Sequence, residues 1–168
     1  MKTSVFGLLI LFVAFTSACS QKPPASPRVT AESQNVTIAY GQPSKKGRLI
    51  FGPESSSSLE KYGKVWRTGA NEASVITFKK DGSFGGKAVK AGEYGLFTIP
   101  GEKEWVVILN SEAKQWGAYS YKQDKDVLRV TVPAVALKEP VEKLTFDVTD
   151  SSLTFKWDTA SFVVPLAF

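Results

Sequence analysis

Most of the chain consists of short apolar segments that alternate residue by residue and are cut apart by turn residues. Val36, Ile38 and Tyr40 fall on one side of an extended segment. Ile76 and Phe78, then Leu144, Phe146 and Val148, then Leu153, Phe155 and Trp157 repeat the pattern. A period of two residues marks a strand with one buried face, because successive side chains of an extended chain point to opposite sides. Gly41-Gln42-Pro43, Asp81-Gly82, Lys90-Ala91-Gly92, Pro100-Gly101 and Asp150-Ser151 separate the segments. Asp-Gly suits the left-handed backbone of tight hairpins, so residues 74–79 are predicted to turn back there into 84–89. Residues 94–99 and 105–109 are nearly continuously apolar, which predicts a central hairpin buried on both faces. About nine strands at this spacing predict an all-β fold, a single antiparallel β-sandwich of the jelly-roll or immunoglobulin-like kind. A helical spacing shows only over Leu59, Tyr62 and Trp66, and Gly63 interrupts it.

The first residues read differently. Lys2 is followed by an apolar run over residues 5–15, then Thr16-Ser17-Ala18 and Cys19. A charged start, a short apolar stretch and small residues describe a secretory signal, too short to remain as a membrane-spanning helix. A lone cysteine directly after the small residues fits a bacterial lipoprotein signal, in which Cys19 is lipidated on cleavage; Thr16 stands where that motif usually has Leu. The alternative is an ordinary signal peptide followed by a spare cysteine. Residues 1–18 are therefore expected to be a signal peptide and 19–33 a lipidated cysteine with a flexible, Pro-rich tether. Residues 34–168 would form the sandwich. Ser20, not Asp, follows the cysteine, which points to an outer-membrane lipoprotein facing the periplasm.

What the composition lacks narrows the chemistry further. The chain has no histidine and one cysteine. A Ser-His-Asp or Cys-His relay, a His or Cys zinc site and a CxxC redox pair are all excluded, as is an internal disulfide. No metal site and no cofactor are expected. The formal net charge of +5 comes from charges interleaved along the chain, without the clustering that nucleic-acid binding needs. Asp147 and Asp150 would offer oxygen ligands to calcium, but their spacing is not that of an EF-hand, and a turn explains them more simply.

Residues 62–73, Tyr-Gly-Lys-Val-Trp-Arg-Thr-Gly-Ala-Asn-Glu-Ala, break the strand pattern. Arg67 offers a rigid fork of donors, Asn71 both a donor and an acceptor, Glu72 an acceptor for hydroxyls, and Trp66 a flat apolar wall. Together they suit a small polar ligand or an envelope glycan. The structural alternative is that Arg67 pairs with Glu72, Asn71 serves a turn at Gly69 and Trp66 fills the core. Trp116, Tyr119 and Tyr121 form a second aromatic group, either a platform or a packed sheet edge. Two carboxylates suffice for glycoside hydrolysis, so Glu72 with Glu93, Glu104, Asp124 or Asp126 would be an alternative.

The stretch at residues 62–73, with 91–100 (Ala-Gly-Glu-Tyr-Gly-Leu-Phe-Thr-Ile-Pro), 105–110 and Gln115-Trp116-Gly117-Ala118-Tyr119, resembles the bacterial envelope family known as domain of unknown function 2911. The likeness runs over roughly residues 26–165 and implies an exported β-rich domain; the Ser55–Ser58 run is an insertion just before the signature. The family brings no activity, cofactor or catalytic residue to carry over. The expectation is a non-catalytic binding module with Trp66, Arg67, Asn71, Glu72, Trp116 and Tyr119 at its site, held to the membrane through Cys19. A carboxylate-dependent hydrolase and a structural or assembly partner of another envelope protein are the alternatives.

Overall fold

The computed structural model describes residues 25–168, so the signal peptide expected at residues 1–18 and the lipidation site expected at Cys19 lie outside the described residues. Twelve strands follow in chain order: β1 Arg28–Glu32, β2 Val36–Gly41, β3 Phe51–Gly52, β4 Glu60–Lys61, β5 Ser74–Phe78, β6 Gly82–Phe84, β7 Lys87–Val89, β8 Gly92–Ile99, β9 Glu104–Asn110, β10 Asp126–Pro133, β11 Val135–Val148 and β12 Ser152–Ala167. A 3-10 turn, Gln123–Lys125, precedes β10. The main sheet has six strands in the order β1-β2-β5-β8-β9-β10, and the facing sheet four in the order β11-β12-β6-β7. Every pair within these two sheets is antiparallel; β3 and β4 form a small parallel pair.

The alternation seen in the sequence sets the inner face. Val36, Ile38 and Tyr40 of β2, Ile76 and Phe78 of β5, and Trp105, Val107 and Leu109 of β9 are buried, and meet Leu153, Phe155, Trp157, Phe162 and Val164 of β12. Aromatic rings fill the middle: Trp66 stacks on Trp157, Phe51 meets Trp66 and Trp105 edge-on, Trp66 meets Phe155 edge-on, and Trp105 lies tilted against Phe155; ring quadrupoles favour the stacked and edge-on contacts. β8 and β9 sit inside the main sheet, and Phe97 and Ile108 on its outer face are also fully buried. That accounts for their continuous apolar runs.

Local differences from the sequence expectation have physical causes. β1 lies inside the stretch assigned to the tether: once Pro27 is passed, Val29 and Ala31 alternate inward and pack on the core. The hairpin turn is not at Asp81-Gly82 but at Gly85-Gly86, whose φ angles of 60° and 78° are left-handed. Phe84 must reach the core, so β6 and β7 leave the main sheet and join the facing one, while β5 pairs directly with β8. Asp81 closes the base of that excursion by accepting from the Ala91 N–H at 2.8 Å and from Lys90 at 2.7 Å. No helical turn forms across Leu59, Tyr62 and Trp66, where β4 and a turn at Gly63 stand instead. The segments at 153–157 and 162–164 are one long strand. Their inward parity flips at Asp158, where φ is 53° and the register with β11 shifts, and Lys45 pairs with the displaced carboxylate.

Candidate functional site

The segment 62–73 crosses from the core to the outer face of the main sheet, and each side chain is placed by that crossing. Trp66 exchanges both backbone hydrogen bonds with Thr98, at 2.8 and 2.9 Å. Its indole therefore points inward, where it is 2 % exposed. Arg67 leaves on the opposite side, and its Nη1 lies 3.9 Å from where a Cβ on Gly117 would sit. Thr68 and Asn71 both adopt left-handed backbone, at φ 55° and 64°. The strained turn is held by Ser74, whose hydroxyl donates to the Thr68 carbonyl at 2.8 Å, and by the Ala70 N–H, which reaches the Gly41 carbonyl at 3.2 Å.

Beyond that turn the chain borders a groove. Thr37 and Ala39 of β2 stand opposite Thr77 and Val75 of β5, and these four short side chains form its floor on the outer face of the sheet. Arg28, Glu72 and Ala73, with Glu93, Ala113, Lys114, Gln115 and Trp116, surround a volume of about 490 Å³, and Glu72 and Trp116 pair through their backbones at its edge. A smaller hollow of about 250 Å³ adjoins it, sharing Arg28, Glu72 and Trp116 and adding Ser26, Gly41, Ala70 and Asn71. Two ion pairs flank the space, Arg28–Glu72 at 3.3 Å and Lys114–Glu93 at 3.9 Å.

The wall that carries Trp116 is a loop tied down at both ends. The Ala73 N–H donates to the Gln115 carbonyl at 2.9 Å, and the Gly117 N–H to the Asn71 carbonyl at 3.1 Å. At its far end the Tyr121 hydroxyl donates to Asp126 at 2.6 Å, Arg129 donates to both at 2.6 and 2.7 Å, and Asn110 donates to the other Asp126 oxygen at 2.8 Å. Burial, with the hydrogen bond to Asp126, pushes the Tyr121 hydroxyl up to about 12. Tyr121 packs against Phe97, whereas Tyr119 is 87 % exposed, so the two tyrosines do not share a face.

The structure divides the residues singled out in the sequence. Asn71, Glu72 and Trp116 border the groove and its annex, and Trp116 is 65 % exposed there. Trp66 is in the aromatic core, Arg67 lies beneath the 116–121 loop with its buried Nε unpartnered, and Tyr119 projects to solvent from that loop. The partner of Glu72 is Arg28, not Arg67. Among the carboxylates weighed with Glu72, only Glu93 lines the same groove, and Asp126 is saturated by Tyr121, Arg129 and Asn110. Asp147 pairs with Lys156, while Asp150 caps the β1–β2 turn through Ser33 and the Asn35 N–H. Among the described residues no group of three or more His, Cys, Asp or Glu side chains could hold a metal ion. Arg28 and the floor residues escaped the sequence reading. The alternation of Arg28, Thr30 and Glu32 against Val29 and Ala31 was the signal that could have found Arg28.

The family model described as "Protein of unknown function (DUF2911)" matches residues 22–166. The chain belongs to the DUF2911 family. The match takes in both sheets, the crossing segment and the loop that walls the groove, so the candidate site of this DUF2911 chain lies wholly inside the family's domain. No curated protein and no solved structure matches it.

Proposed function

We propose that this DUF2911 chain is an outer-membrane lipoprotein facing the periplasm. Its domain would be a non-catalytic binding module for a small polar ligand, best fitted by an envelope glycan. The observation that carries the reading is Trp116, a large aromatic side chain left 65 % exposed at the rim of a groove. An indole face stacks on the apolar face of a sugar ring, while Glu72 and Glu93 accept from its hydroxyls and Thr37 and Thr77 present hydroxyls of their own from the floor. A volume of about 490 Å³ is within the usual range for small-molecule sites. For the anchor, the support is Cys19 directly after an apolar run and small residues.

Calorimetric titration with soluble peptidoglycan and lipopolysaccharide oligosaccharides tests the site. Binding is expected in the wild type and is expected to weaken at least about tenfold, or about 1.4 kcal/mol, in Trp116→Ala and in Glu72→Gln. Saturable binding that ignores both substitutions would place the ligand elsewhere. Loss of membrane association in Cys19→Ser tests the anchor.

A carboxylate-dependent hydrolase is the second reading, favoured by one observation: Glu72 and Glu93 line the same groove. Its test is release of reducing ends from the bound glycan that Glu93→Gln abolishes without loss of binding.

A further inference from the structure

Of the four tryptophans, three are buried: Trp66 at 2 %, Trp105 at 1 % and Trp157 at 0 % exposure. Trp116 stands outside the core at 65 %, and Tyr119, three residues on, at 87 %. The backbone turns between them at Gly117, whose φ is 70°, with the Tyr119 ring packed over it. Lys114 and Lys122 flank this loop with side chains 87 % and 60 % exposed, each only loosely paired with a glutamate at 3.9 Å. An exposed Trp and Tyr between lysines is the composition that settles at a bilayer interface: the rings sit at headgroup level and the ammonium groups meet anionic lipid.

The position of this loop in the fold says which surface it would meet. The N-terminal segment joins the domain beside it. The Asn71 side-chain amide donates to the Ser26 carbonyl at 3.2 Å, and the Asn71 carbonyl accepts from the Gly117 N–H at 3.1 Å. Ser26 and Trp116 line the same hollow. Asn71 thus fixes the point where the chain joins the domain to the aromatic loop. From Cys19 to Ser26 the chain spans at most about 25 Å even when fully extended. A domain held on so short a leash turns toward the bilayer the face from which the leash emerges.

We propose that Trp116 and Tyr119 insert into the interfacial layer of the membrane that carries the chain, and hold the mouth of the groove over the lipid headgroups. The inference rests on the reading of Cys19 as the lipid anchor. It also gives the groove a direction, because Trp116 belongs to both the patch and the wall.

The test uses the protein purified from bacterial membranes, with its intact mass recorded, and reconstituted into phosphatidylethanolamine–phosphatidylglycerol vesicles. The emission of Trp116 is isolated as the difference between the wild type and Trp116→Phe. With brominated acyl chains in the vesicles, this emission is expected to shift to the blue, to be quenched by the bromine, and to lose most of its access to iodide. The buried tryptophans are expected not to change. A chain that stays on the vesicles while Trp116 remains open to iodide and unquenched by bromine overturns the proposal and leaves the anchor standing. A mass showing unmodified Cys19 overturns the anchor instead. The patch is then judged by coupling the sole cysteine to a maleimide phospholipid in the same vesicles, and the same quenching decides it.

Discussion

The Trp66 indole lies nearly parallel to that of Trp157, with ring centroids 5.9 Å apart and planes 17° apart, and Trp66 Nε1 is buried without a hydrogen-bond partner. These two facts pull in opposite directions. The ring contacts stabilise the core, whereas the orphaned N–H weakens it by the desolvation of an unpaired donor. Trp66→Ala is expected to lower stability by about 3–5 kcal/mol, the range for emptying an aromatic site. Trp66→Phe removes part of the ring and the orphan together, so its loss is expected to stay below about 1.5 kcal/mol. Urea midpoints at constant m-value measure both. Ligand affinity is expected to be the same in Trp66→Phe as in the wild type, since the ring does not reach the groove.

Gly41 ends β2 directly beneath the turn of the 62–73 segment. A Cβ there would stand 2.0 Å from the Ala70 carbonyl oxygen, a backbone atom that cannot rotate away. Gly41→Ala must therefore lift the turn off the sheet, at a typical overpacking loss of about 1–3 kcal/mol. The same displacement moves Asn71 and Glu72, which follow within the turn. Weaker ligand binding together with a lower thermal midpoint is expected. A variant with unchanged midpoint and affinity would show that the turn is not wedged on Gly41.

The fold was legible where strands bury one face, because Ile38, Ile76 and Phe155 each announce themselves by parity. What the sequence hid were features set by distant partners. Gly85-Gly86 took the hairpin turn from Asp81-Gly82 because Phe84 is needed in the opposite sheet. The groove is also a product of pairing: Thr37, Ala39, Val75 and Thr77 are unremarkable outward positions until β2 and β5 stand side by side. Within the segment that drew attention, Trp66 and Arg67 were separated by the backbone pairing of Trp66 with Thr98, which nothing in the local sequence states.

The Tyr121 hydroxyl holds the far end of the groove wall through Asp126 and Arg129. Tyr121→Phe keeps the ring against Phe97 and deletes both hydrogen bonds, while Asp126 retains Arg129 and Asn110. A loss of about 1.5–3 kcal/mol is expected, the range for hydrogen bonds to charged groups. Because the Tyr121 hydroxyl ties only one end of the loop 111–122, whose other end is held by the Ala73–Gln115 and Gly117–Asn71 backbone bonds, the loss should be local. Amide exchange is expected to quicken across that loop and to leave β8 and β9 unchanged. Uniform acceleration through the domain would mean that the knot supports the whole fold, not the wall.

Glu60 gives the domain a pH dependence of unusual sign. Burial raises its carboxyl to about 7 from an ordinary 4.5; the charges of Arg67 and Arg48 pull it back only in part. The folded state therefore favours the neutral acid. Near pH 4, folded and unfolded chains both carry most of the proton, and Glu60 weighs little on stability. Between about pH 4.5 and 7 the unfolded chain has released the proton that the folded chain keeps, so stability falls as pH rises. Above about 7 both forms are ionised and the full penalty stands, at most about 3 kcal/mol. Hydrogen bonds, from Lys90 to Asp81 and from Ser33 to Asp150, hold those two carboxyls below their usual range. Their contribution fades only as pH falls through about 4 and below, outside the Glu60 window. Glu60→Gln keeps the shape of the neutral acid and cannot ionise. The variant is expected to match the wild type at pH 4.5 and to exceed it increasingly up to pH 8 in urea unfolding. Stability curves that run parallel across this interval would show that Glu60 is ionised and satisfied in the folded domain.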